Sequence, residues 1–304
     1  MNDLDGYLQH LTVERRLASR TVAMYRLALE DLHRQARAYP IELDKVQSHH
    51  IRRWVAAMRE RGLGARSVAI ALSAWRGLYR WWGRDGRVSH NPVDGIKAPK
   101  APRPLPKALS VEQACALAAF DGGAADAALR ARDHAVVELL YGCGLRVGEL
   151  TGLDARASTQ AAGWVDLSDA TAHVLGKGAK RRSVPVGQAA LAALAAWLQV
   201  RPQLARTGEP ALFVSRKGTR LTASQVRSRL RALAIQAGLP THVHPHMLRH
   251  SFASHVLQSS ADLRAVQELL GHAHIATTQV YTKLDFQHLA RVYDAAHPRA
   301  KPRG

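Results

Sequence analysis

Between residues 146 and 281 the sequence holds six side chains of the types needed for a metal-independent attack on a phosphodiester. Such a reaction needs a nucleophile at phosphorus, fixed cations for the two non-bridging oxygens as they gain charge, and a proton donor for the departing 5′ oxygen. Arg146 stands in Tyr141-Gly142-Cys143-Gly144-Leu145-Arg146-Val147-Gly148-Glu149-Leu150, just past a bend that glycine permits, and Glu149 follows about one helical turn later. Lys177 lies in Gly176-Lys177-Gly178. His246 and Arg249 are three residues apart in His246-Met247-Leu248-Arg249-His250, so they share a helix face, and Pro245 suits the first turn. Gly271-His272 ends another helix, and Tyr281 comes nine residues after His272.

Each of these residues has an ordinary use when taken singly. Arg146 and Arg249 could be structural ion-pair partners, Lys177 a solvated turn lysine and Tyr281 a core tyrosine. It is their joint presence that favours chemistry. The histidines His242, His244, His246, His250, His255, His272 and His274 raise the alternative of zinc. Position 247 is Met, however, so there is no H-E-x-x-H motif, and the two cysteines, Cys115 and Cys143, lie apart among apolar residues. They read as buried, reduced thiols, and His250 and His255 as residues that pack or hydrogen-bond within their helix. No metal and no cofactor is expected.

The elements that must position these groups are mainly helical. Val22, Tyr25, Leu29 and Leu32 recur at helical spacing behind Ser19, a candidate cap. Ile51, Trp54, Val55 and Met58 make a second stripe, and Val68, Leu72, Trp75, Leu78, Tyr79 and Trp82 a third. Asn91-Pro92 stops this pattern. Residues 97–109, with repeated Pro among Lys and Arg, read as a stiff basic linker between a helical domain over 1–96 and a second domain over 110–304. Its length suits a strap joining two domains around a rod. Ser110-Val111-Glu112-Gln113 is a capping box that opens the next helix. The β signal is a hairpin, 172–176 against 181–186, turning at Gly178. The fold expected is therefore mainly α, with a small antiparallel sheet in the C-terminal domain.

Charge names the class of partner. Lys and Arg number 43 against 24 Asp and Glu, a net charge of +19, and arginine's planar fork matches phosphate. Such an excess favours nucleic acid. Arg20, Arg26, Arg66, Arg76 and Arg80 on the N-terminal helices, with Lys97 and Lys100 in the linker, are the candidate DNA-binding residues. No apolar run is long enough to span a bilayer, and the acidic N-terminus lacks a signal-peptide layout, so no membrane association and a cytoplasmic location are expected.

Arg146, Lys177, the His246/Arg249 pair, His272 and Tyr281, in that order and spacing, resemble the tyrosine recombinase/integrase family, and the resemblance runs along nearly the whole chain. It implies a two-domain DNA clamp in which Tyr281 attacks the scissile phosphate to give a 3′-phosphotyrosyl link, Arg146 and Arg249 hold the non-bridging oxygens, and Lys177 protonates the leaving oxygen. It gives His246 and His272 the tasks of positioning and neutralising the phosphate, with either able to take the Tyr281 proton, and Glu149 a supporting place behind them. The tail from Tyr281 to Ala300 is similar to the XerC branch of the family. That branch implies resolution of chromosome dimers at a chromosomal DNA site, a sister recombinase of XerD type in a heterotetramer, and a DNA translocase at the division septum. Phe286, Leu289 and Val292 or Tyr293 form an apolar stripe just past Tyr281. It could pack on its own domain; the resemblance implies insertion into a neighbouring subunit.

Two departures stand out. Gly148 occupies a place where the family usually has Ser or Thr, and Asp154 to Gly163 is irregular, which leaves the nearby sheet boundaries open. A phage- or integron-type integrase is the rival within the family, and a non-catalytic architectural DNA-binding protein the rival outside it. A type IB topoisomerase shares similar chemistry with a weaker resemblance.

Overall fold

The computed structural model describes residues 3–100, 108–120, 126–176, 181–240, 242–270 and 283–300, with backbone only at 3 and 283–288. The chain divides into two compact units, Met1–Pro104 and Leu105–Gly304.

In the first unit, α1 (Asp3–Val13), α2 (Ser19–Ala38) and α3 (Ser48–Glu60) surround α4 (Ala65–Arg84). The α4 stripe of Val68, Leu72, Trp75, Leu78, Tyr79 and Trp82 is buried throughout, against Leu29 and Leu32 of α2 and Ile51, Trp54 and Met58 of α3. Withdrawing each such side chain from water contributes about 1.5–3 kcal/mol, which favours the helix that gathers most of them on one face. The polar atoms carried inside are satisfied: the Trp75 indole donates to the Ala28 carbonyl at 2.7 Å and the Tyr79 hydroxyl to the Leu43 carbonyl at 2.8 Å. Gly77 lets α1 cross α4, since a Cβ there would lie 2.1 Å from the Tyr7 hydroxyl. Two expectations need correction. Ser19 does not cap α2; Ala18 holds the extended cap position without a side-chain bond, and Ser19 is already helical. Asn91-Pro92 does not end the helix either. α4 stops at Arg84, and Asn91 instead ties the following segment back, donating from Nδ2 to the Arg76 carbonyl at 3.1 Å.

The second unit is built around α6 (Ala127–Gly142), buried over most of its length. α5 (Val111–Ala119) opens at the expected capping box, with Ser110 Oγ accepting from the Gln113 amide at 3.2 Å and Gln113 Oε1 from the Ser110 amide at 3.1 Å. After α6 come α7 (Val147–Thr151) and four strands, β1 (Leu153–Asp154), β2 (Gly163–Asp166), β3 (Thr171–Leu175) and β4 (Arg181–Pro185), in the order β1-β2-β3-β4. β3 and β4 form the expected antiparallel hairpin, whose turn at 177–180 lies outside the described residues. The sheet is mixed rather than wholly antiparallel, because β1 pairs parallel with β2 across the irregular 154–163 segment. Then follow α8 (Gln188–Val200), α9 (Ala223–Gln236), α10 (Pro245–Ser260), α11 (Leu263–Leu270) and α12 (Lys283–Ala296).

Three buried features of this unit bear on the sequence reading. Cys115 and Cys143 are both buried and free. His255 bonds outside its own helix: Nε2 donates to the Leu109 carbonyl and Nδ1 accepts from the Tyr141 hydroxyl, both at 3.0 Å. The tail packs on its own unit. Leu289 and Tyr293 are buried, Tyr293 stacks on Phe252 and His297, Arg299 pairs with buried Glu138, and the Ala300 carbonyl accepts from the Gln188 amide at 3.1 Å. Those two members of the apolar stripe are thus satisfied in the single chain, while the Phe286 side chain lies outside the described residues. Among the described residues no helix is long and apolar enough to cross a membrane.

Candidate active site

The site begins at Gly144, whose φ of +59° is left-handed. An L side chain is disfavoured there by its own backbone. It is also excluded by packing, since a Cβ would lie 2.5 Å from the Phe252 ring. The turn delivers Arg146 to the N-terminus of α7. Glu149, three residues on, accepts the Arg146 backbone N–H at 2.8 Å and its Nη1 at 2.9 Å. One carboxylate therefore both caps the helix and holds the guanidinium.

Glu149 serves further arginines. Arg182 of β4 reaches it with two parallel bonds, Nη1 to Oε1 at 2.5 Å and Nη2 to Oε2 at 2.9 Å. Arg249 of α10 lies 4.0 Å away, and donates to the carbonyls of Gly144, at 2.5 Å, and Leu270. Among the described residues, three guanidiniums thus share this one carboxylate, two more positive charges than negative. Burial works to raise the Glu149 pKa, but Arg182 and then Arg146 outweigh it and hold it below the usual carboxylate range. Burial, then the neighbouring Arg146, pushes Arg249 down to about 9, so it stays protonated at neutral pH. Cations gathered this way, with the Arg146 side chain 32% exposed, suit an anion arriving from solvent.

His246 occupies the first turn of α10, which Pro245 opens and His244 caps by accepting the Met247 amide at Nδ1. It is exposed, while Arg249 on the same helix is buried. Its pKa is lowered, by burial first and then by His244, Arg249, Arg227 and Arg146. It is neutral at pH 7 and can accept a proton.

The structure thus brings together Arg146, Glu149, Arg249 and His246. Lys177, His272 and Tyr281 lie outside the described residues. Arg182 was not singled out by the sequence. Its neighbours marked it only as a strand residue, and its partner is 33 positions away. No group of three or more His, Cys, Asp or Glu side chains able to hold a metal ion occurs among the described residues.

In the first unit, Arg20, Arg66, Arg80, Lys97 and Lys100 are exposed. Arg26 is drawn to Asp5 at 3.4 Å. Arg76 is half-buried and donates from Nη2 to the Val93 and Ile96 carbonyls at 3.3 and 2.9 Å, so it is engaged in holding the chain after α4. A groove of about 420 Å³ between α1, α2 and α4 is lined by Arg15, Arg80 and Arg84 together with Tyr25 and Trp81.

The phage integrase family model matches residues 108–288, and its N-terminal SAM-like domain matches residues 4–86. The chain is 55% identical to tyrosine recombinase XerC 1 of Ralstonia nicotianae, over 98% of this chain and 94% of that protein. It is 48% identical to tyrosine recombinase XerC of Pseudomonas aeruginosa, over 99% and 96%. Two solved structures share the fold at a TM-score of 0.66. One is XerH site-specific recombinase bound to palindromic difH substrate in a post-cleavage complex, at 24% identity over 92% of this chain and 81% of that one. The other is a lambda integrase fragment dimer bound to a core site, at 18% identity over 92% and 98%. A family match over most of the chain and this level of identity to full-length relatives leave one conclusion: the chain belongs to the phage integrase family and is a site-specific tyrosine recombinase.

Proposed function

We propose that this recombinase acts as the XerC-type member of a pair, cutting and rejoining a chromosomal site to resolve chromosome dimers in the cytoplasm with a sister recombinase of XerD type. The reading rests on the similarity to XerC proteins along nearly the whole chain. A DNA translocase at the division septum is the further partner this role would bring.

The observation that carries the chemical assignment is the surplus of guanidinium around Glu149. In the proposed mechanism the scissile phosphate meets Arg146 and Arg249, whose N–H groups balance the charge that grows on the non-bridging oxygens. The Tyr281 oxygen forms a bond to phosphorus as the bond to the 5′ oxygen breaks. The tyrosine proton passes to a neutral histidine, His246 being the described candidate, and Lys177 supplies a proton to the departing oxygen. His272 steadies the phosphate. The phosphotyrosyl bond conserves the phosphodiester's energy, so rejoining reverses the step with a new 5′ hydroxyl and needs neither ATP nor metal.

Residues 1–96 and 110–304 would clasp the duplex from the two ends of the 97–109 linker, with Arg20, Arg66, Arg80, Lys97 and Lys100 on phosphates. Exchange of the tail between subunits would require Leu289 and Tyr293 to leave the places they fill here. The test of the assignment is Tyr281→Phe on a nicked suicide substrate carrying a dimer-resolution site. The variant should bind like the parent and form no covalent adduct; an adduct would remove Tyr281 from the nucleophile's role.

A further inference from the structure

Arg182 carries more than stability requires of it. Its side chain is 8% exposed, and it joins three separate stretches of the second unit. It belongs to β4 and is paired in register with Val174 of β3. Its two Nη groups hold both oxygens of Glu149, the carboxylate that also holds the backbone and guanidinium of Arg146. Its Nε faces the Leu269 carbonyl at 3.4 Å, in the last turn of α11, next to the Leu270 carbonyl that Arg249 holds. A bidentate pair fixes the carboxylate plane as well as its distance, which a single bond cannot do. Fixing that plane fixes where Oε1 can receive Arg146.

We infer that Arg182 is a positioning residue for the transesterification: acting through Glu149, it sets the angle at which Arg146 meets the phosphate. This rests on the reading of Arg146 as a phosphate clamp. Lysine at 182 keeps the charge but offers a point donor, so the carboxylate can swivel and Arg146 with it. The deficit should appear in the chemical step, with half-site affinity preserved.

The test compares the full chain with Arg182→Lys, Arg182→Met, Arg146→Ala and the Arg146→Ala/Arg182→Met double variant. Covalent adduct formation is followed on a suicide substrate, with half-site binding and thermal unfolding measured alongside. Arg182→Lys should bind like the parent and cleave about tenfold to a hundredfold more slowly, by analogy with the loss of partners that orient metal ligands. Arg182→Met should add nothing to Arg146→Ala, because a residue that acts through another has no effect once the other is gone. A substrate in which methyl replaces one non-bridging oxygen at the scissile phosphate lacks the charge Arg146 balances, and the Arg182→Lys deficit should shrink on it. Parent-like cleavage by Arg182→Lys, additive losses in the double variant, or an unchanged deficit on the methyl substrate would overturn the inference. So would an Arg182→Lys chain unfolded at the assay temperature, which would make the residue one of stability alone. Normal cleavage by Arg146→Ala would instead sink the assignment of the active site itself.

Discussion

The second unit ties arginines around a buried carboxylate twice, for different ends. Asp133 on α6 takes Arg132 and Arg229, at 2.6 Å each, and Arg132 sends Nη1 on to the Val214 carbonyl at 3.1 Å. Glu149 takes Arg146 and Arg182, with Arg249 at 4.0 Å. Exposure does not separate the two, because Arg229 at 33% is as open as Arg146 at 32%. The arithmetic of charge and the points of attachment do. Among the described residues, two cations on one anion leave a single surplus charge and three leave two; the Arg249 pKa is lowered by burial first and by the neighbouring Arg146 second. The Asp133 cluster links α6 to α9 and to the segment at Val214. The Glu149 cluster links element ends: the Gly144 turn, the start of α7, the first residues of β4, and the last carbonyls of α11. The cluster that supports the fold carries the smaller surplus and joins elements along their length, whereas the one suited to an anion carries the larger surplus and sits where segments meet.

The sharpest separation should come from removing the Asp133 carboxylate. Asp133→Ala leaves Arg132, 3% exposed, with its charge unmatched, and should cost about 3–5 kcal/mol in urea unfolding. A loss below about 1 kcal/mol would dissolve the distinction between the clusters, since exposed pairs contribute no more than that. Arg146→Lys should do the reverse. Unfolding should scarcely move, while adduct formation drops roughly a hundredfold or more, as when an oxyanion donor is lost. Cleavage near the parent rate would make the Glu149 cluster structural too.

Gly144→Ala tests the turn that feeds the site. A left-handed φ with the Phe252 ring behind it should cost about 1–3 kcal/mol, and slow cleavage through the Gly144 carbonyl that Arg249 uses. A variant as stable and as active as the parent would show that the turn has latitude. The smallest effect is in pH. With the His246 pKa lowered, the imidazole stays neutral below its ordinary value of about 6.5, and a base is lost only as pH falls through the lowered value. Adduct formation should therefore hold from pH 8 down past about 6.5 before an acid limb appears, and His246→Asn should remove that limb. A limb beginning above about 6.5 in the parent would give the proton to another group.

The sequence was readable where a device is local. Ser110 and Gln113 form their reciprocal cap three residues apart, and the α4 stripe falls on one helix face as its spacing demands. Arg146 and Glu149 could be paired for the same reason. Arg182 could not, because a lone arginine on a strand has no periodic signature and its partner comes from another element. Arg76 shows what the helix face alone does not tell: its Nη2 donates to carbonyls 17 and 20 residues on, a tie that no local spacing signals. β1 escaped notice because it has only two residues, too short for any alternation to show. Its parallel partner begins at Gly163, whose missing side chain admits the His173 carbonyl from β3.

The burial of both thiols has a practical side. Cys115 is 5% exposed and Cys143 fully enclosed, with burial holding the Cys143 thiol far above its ordinary pKa, and the sequence has no third cysteine. A maleimide needs a reachable thiolate, so it should pass the native chain by. One cysteine placed on the exposed face of α4 and another on α8 would then be the only handles for a donor and an acceptor dye. Energy transfer between them would follow the two units as they take hold of a duplex, in a chain whose own sulfur atoms never had to be removed.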